Sequence, residues 1–124
     1  MPSFTPEHAA VWFEIPVNDL KAGMAFYNAV LDTELVETEM GPNVVAIFPS
    51  RQPGTGVAGH IYPGKPGEPG KGNTIHLAVP EKLESAMDRV VQAGGTVVSD
   101  IISIPAGRFV YCLDPDGNSI GLFN

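Results

Sequence analysis

In the stretch VWFEIPV (Val11–Val17), Phe13, Ile15 and Val17 alternate with Trp12, Glu14 and Pro16. Alternation of this kind predicts a strand with one apolar face, because successive side chains point to opposite sides. Asn18 or Asp19 follows, and either side-chain oxygen can accept an orphan N–H at a helix start. In LKAGMAFYNAVL, Leu20, Met24, Tyr27 and Leu31 recur at helical spacing, joined by Phe26 and Val30. Gly23 costs such a helix about 1 kcal/mol, which makes it a marker of close packing. Three further strand segments come next: ELVETEM, VVAIFP and GVAGHIY.

After YPGKPGEPGKGN (Tyr62–Asn73) the order starts again. TIHLAVP predicts a strand, and EKLESAMDRVVQA carries Leu83, Met87, Val90 and Val91 on one helical face. Gly94 and Gly95 stand where a helix C-cap requires positive φ. TVVSDIIS, GRFVYCL and, past the turn DPDGN, SIGLFN complete the series. The chain therefore reads as βαβββ twice, an α+β domain over 1–124 with module one at about 8–62, a linker at about 63–72 and module two at about 73–124. Aligning Val17 with Val79 pairs Phe13 with Ile75, Ile15 with Leu77, Trp12 with Thr74 and Glu14 with His76. The Phe13 and Ile75 faces should pack under the helices, leaving Trp12, Glu14, Thr74 and His76 on the opposite faces.

The connector has glycine at every third place for three steps, but the period fails at Gly72, so it is no collagen-like helix. Lys71 is followed by glycine and by no helical pattern, which removes a phosphate-binding loop. A solvated Pro/Gly connector remains.

Composition narrows the functions. Hydrophobic residues make up 44% of the 124 and charged residues 17%, enough for a packed core. A net charge of -7 opposes binding to nucleic acid or to an acidic membrane surface. The lone Cys112 makes no internal disulfide, and no signal segment or membrane span is legible, so a cytoplasmic location is expected.

The two βαβββ units, ND before the first helix, FYNAVL within it, AGG closing the second and DPDGN before the last strand resemble the glyoxalase/bleomycin-resistance/extradiol-dioxygenase superfamily, the vicinal-oxygen-chelate fold. The resemblance covers nearly the whole chain. It implies two modules forming a cupped, half-open mixed β-barrel, with a cleft for a metal or a small molecule and often a homodimer. It also implies metal ligands at the places of Trp12, Thr74 and Gly121, with a fourth near Gly59. Indole offers a metal no lone pair and glycine no side chain, so neither metal nor other cofactor is expected.

Glu14 and His76 form a candidate acid–base pair; with His60 they are alternatively a shifted metal site, or they only line a ligand cleft. Trp12, Thr74, His60 and Arg108 are candidate substrate-binding residues, with Trp12 as an apolar floor or as ordinary core and Arg108 as an anion clamp. Glycines flanking His60 leave its facing open. PSRQPGTG (Pro49–Gly56) reads as a connector or a flap over the cleft. The leading expectation is a metal-independent glyoxalase-like protein that binds a small organic molecule between its modules, as an isomerase or lyase using Glu14 and His76. The alternatives are a non-catalytic binding or resistance protein of the bleomycin-resistance type, and a metalloenzyme with rearranged ligands.

Overall fold

The computed structural model describes residues 3–51 and 57–124. Its elements are β1 (Trp12–Val17), α1 (Leu20–Leu31), β2 (Val36–Met40), β3 (Asn43–Ile47) and β4 (Ala58–Pro63), then β5 (Ile75–Ala78), α2 (Leu83–Gln92), β6 (Thr96–Val97), β7 (Ile102–Ile104), β8 (Gly107–Leu113) and β9 (Ser119–Phe123). The first module's sheet runs β1-β4-β3-β2 and the second's β5-β9-β8-β6, with β7 paired to β8. In each sheet the first strand lies parallel to the last, and the remaining pairs are antiparallel. Both modules thus have one mixed topology, α+β, and neither sheet closes into a barrel. TVVSDIIS, expected as one strand, is two. Ser99 interrupts it, and its hydroxyl takes the backbone N–H of Tyr111 at 2.9 Å.

Alternation along β1 and β5 decides what is inside. Ile15, Val17, Leu77 and Val79 are buried, and Phe13 and Ile75 pack against the same core. Phe26, Tyr27 and Val30 of α1 and Leu83, Ala86 and Val90 of α2 complete that core, which runs through both modules. Leu83 and Val90 are buried as expected, whereas Val91, expected on the same face of α2, is exposed and Ala86 is buried in its place. Asp19 caps α1 by accepting the N–H of Ala22 at 3.0 Å. At Gly23 a Cβ would stand 3.0 Å from Ile61 Cδ1 and 3.1 Å from Val17 Cγ2, so the helix lies directly on β1 and β4.

The modules are tied together at one buried carboxylate. Asp114, 3% exposed, accepts the Tyr27 hydroxyl at 2.6 Å and the Asn118 amide at 2.9 Å on one oxygen. Its other oxygen accepts the backbone N–H groups of Asp116 and Asn118, both at 2.9 Å. Asn118 also donates to the Pro16 carbonyl at 2.7 Å, and Asn18 donates to Asp116 at 2.7 Å. The DPDGN turn, with Gly117 at φ 87, thereby grips β1 and α1 of the other module.

Removing the hydroxyl in Tyr27→Phe deletes one hydrogen bond to a charged acceptor and should lower stability by about 1.5–3 kcal/mol in urea unfolding. A loss below about 0.5 kcal/mol, the range of neutral surface changes, would refute the role given to this bond.

Burial, then the Asp114 charge and its hydrogen bond, raise the Tyr27 pKa well above 10.0, and burial lifts the Cys112 thiol from 9.0 to about 11. Both groups hold their protons longer in the folded chain than in the unfolded one. Their contribution is therefore complete below the unfolded values and is lost as pH rises from about 9 through the folded values. Urea midpoints should be level from neutrality to pH 9 and fall beyond it. A level midpoint up to pH 11 contradicts this.

Candidate functional site

A cleft of about 750 Å³ opens between β1 and β5, within the size range of small-molecule sites. Trp12, Phe13 and Phe48 wall it from the first module, and Thr74, Ile75 and His76 from the second. Asp32, the left-handed C-cap of α1, is the one formally charged side chain among the described residues of its lining. Strand parity put Trp12, Thr74 and His76 on the faces turned away from the helices, and the structure brings all three to this cleft. Phe48 and Asp32 were not foreseen. Phe48 closes VVAIFP, where a large apolar residue beyond a strand's last pair was the available signal.

His76 stands edge-on to Phe109 and is tilted against Tyr111, with ring centroids at 5.0 and 5.8 Å. Beneath it lies Gly121, where any Cβ would collide with the imidazole. Thr74 shares a hydrogen bond of 2.5 Å with Ser119.

Glu14 does not meet His76. Its register partner across β1 and β4 is His60, and the Glu14 carboxylate accepts from His60 Nε2 at 3.1 Å. The other imidazole nitrogen, Nδ1, accepts the Trp12 indole N–H at 3.0 Å. Indole can only donate, so Nδ1 is bare and Nε2 carries the hydrogen that goes to Glu14. His60 is 5% exposed, and Glu14 opens into a second, smaller cavity of about 320 Å³ beside Lys71, Asn73 and Ser119. The expected Glu14–His76 pair is thus divided between two cavities. His60 faces outward from the helices and lies behind the cleft wall rather than in it.

Arg108 is also elsewhere. Its guanidinium forks onto Glu84, with both N–O distances 3.1 Å. That fork holds the Glu84 carboxyl down at about 2 and fills the position expected to clamp an anion. Of the Pro49–Gly56 flap, residues 52–56 lie outside the described residues. Pro49 and Ser50 line the cleft.

The donor set does not fit the metal that the resemblance implies. Gly59, near which the fourth ligand was expected, pairs with Phe13 on the core side; the outward positions of β4 are Ala58 and His60. The Nδ1 lone pair of His60 is taken by indole, and a glutamate at position 121 would need the space His76 fills. Among the described residues no three His, Cys, Asp or Glu side chains are grouped to hold a metal ion. No described helix is long and apolar enough to cross a membrane.

Comparison with solved structures supports the same architecture. A glyoxalase/bleomycin resistance protein from Albidiferax ferrireducens is similar at 24% identity and TM-score 0.69, covering 91% of this chain and 96% of that one. The fosfomycin resistance protein FosX of Listeria monocytogenes matches at 17% identity and TM-score 0.69, covering 96% and 91%. A glyoxalase-related enzyme from Fulvimarina pelagi matches at 19% identity and TM-score 0.64, covering 95% and 88%. Likeness at these identities carries the fold alone. No curated protein sequence matches the chain. The family model for the Glyoxalase/Bleomycin resistance protein/Dioxygenase superfamily matches residues 8–122, and the chain belongs to that superfamily.

Proposed function

We propose that the protein binds a small organic molecule in the cleft between β1 and β5, without the superfamily's metal and without an acid–base pair. The observation that carries this reading is the lining itself, in which Trp12, Phe13 and Phe48 face Ile75 and His76 across a space of ligand size. Apolar walls with a few polar groups are what organic-ligand sites use. Binding without turnover is favoured over the isomerase or lyase reading because Glu14 and His76 open into separate cavities. Thr74 is committed to Ser119, and His76 and Asp32 are the ionisable side chains among the described residues of the lining.

A thermal-shift screen tests the reading. A ligand at a hundred times its Kd stabilises the native state by about 2.7 kcal/mol, which appears as a raised Tm. Organic molecules with aromatic rings should raise it, whereas zinc, nickel, manganese and iron salts should not, and protein purified without chelator should carry no equimolar metal. A tightly held metal, or stabilisation by metal alone, contradicts the proposal.

A homodimer completes the reading. Val36 and Met40 on β2 and Ile102 and Ile104 on β7 are exposed, and such apolar strand surfaces seek cover. A second copy meeting them about a two-fold axis would supply it. Light scattering should give twice the 13.1 kDa mass of one chain. The mass of a single chain at micromolar concentration refutes the dimer.

A further inference from the structure

The single tryptophan of the chain is held in an unusual way. Trp12 is 42% exposed and lines the cleft, yet its one polar atom is turned away from it. The indole N–H ends on Nδ1 of His60, whose other nitrogen is anchored by Glu14. Trp12 lies two register steps from the Glu14–His60 pair, on the same face of β1 as Glu14, with its ring centroid 5.7 Å from the imidazole. His60 is also flanked by the edge contact of Tyr62 at 6.0 Å and paired across the sheet with Ile47. An imidazole with both nitrogens committed and only 5% of its surface exposed has one orientation, and it passes that orientation to the indole.

The consequence concerns what the cleft can recognise. With its N–H committed, Trp12 offers a ligand only its π face, which carries negative charge density and attracts cations. The only formal charge among the described lining residues is the Asp32 carboxylate, and the guanidinium of Arg108 is held by Glu84. A net charge of -7 adds to the same field.

We infer that Trp12, His60 and Glu14 form a positioning relay that fixes the indole as the aromatic wall of the cleft, and that the cleft so built takes flat aromatic molecules, cationic or neutral, in preference to anions. The inference rests on the reading of the cleft as a ligand site and goes beyond it by naming the ligand class and the residues that set it. His60 is the positioning residue, and Glu14 acts through it.

The test uses the full chain and the emission of its one tryptophan. In the absence of any ligand, His60→Phe removes both hydrogen bonds while keeping a flat ring; Trp12 emission should move to the red and acrylamide quenching should increase. Glu14→Ala should do the same in part, and Glu14→Gln, which keeps an acceptor, should resemble the wild type. Three planar probes then report the ligand class by calorimetry at neutral pH: proflavine as the cation, acridine as the neutral ring and pyrene-1-sulfonate as the anion. Proflavine should bind more tightly than pyrene-1-sulfonate by about tenfold, the scale of one cation–π contact, and His60→Phe should remove most of that advantage. Wild-type quenching and affinity retained in His60→Phe would overturn the relay; if that variant does not fold, the same result in Glu14→Ala does so. Tighter binding of the anion would overturn the ligand class while leaving the cleft as a binding site. Failure of all three probes to bind the wild type would overturn both the ligand class and the cleft reading beneath it.

Discussion

The carboxylate of Asp114 is the constraint on which the arrangement depends. A buried carboxylate needs several donors, and this one has four, drawn from α1, from Asn118 and from the turn it belongs to. Asn118 extends the grip to the carbonyl of Pro16 in β1. A turn in the second module is thereby fixed to a strand and a helix of the first. The shared core supplies the larger free energy, but apolar contact is non-directional. The hydrogen bonds of Asp114 select one orientation of the modules.

That orientation opens the cleft. β1 and β5 belong to different sheets, and the space between them is lined by Trp12, Thr74 and His76 from the outward faces together with Phe13, Phe48 and Ile75 from the core side. The same strand places that would carry metal ligands hold indole, a hydroxyl and a glycine. Each of these residues has its own structural engagement: the indole binds His60, Thr74 binds Ser119, and the open side of Gly121 seats His76. The site is a wall of rings over committed polar groups, and the proposed binding of an organic molecule rests on that chemistry.

Much of the fold was legible because it rests on local rules. The start of α1 followed from Asn18 or Asp19, of which the structure uses Asp19, and its length from apolar spacing; the close approach of the helix followed from Gly23, and the inner and outer faces of β1 and β5 from alternation. What was not legible depends on which strands become neighbours. Parity states that Glu14 and His76 face away from the helices, but pairing of β1 with β4 makes His60 the partner of Glu14. Nothing within GVAGHIY announces that register. The partner of Arg108 was not legible either, since Glu84 approaches it from a helix 24 residues away. DPDGN read as a turn, and its Asp114 gained its larger role only when the buried hydroxyl of Tyr27 required an acceptor.

The most direct test of the account is the protonation and contact state of the Trp12–His60 pair, read by NMR on ¹⁵N-labelled protein. Long-range correlations of the imidazole should show hydrogen on Nε2 of His60 and none on Nδ1. The single indole N–H resonance should be protected from exchange and should move when a molecule that raises Tm is added. Hydrogen on Nδ1, or an indole resonance that stays in place while a ligand stabilises the protein, would contradict the account.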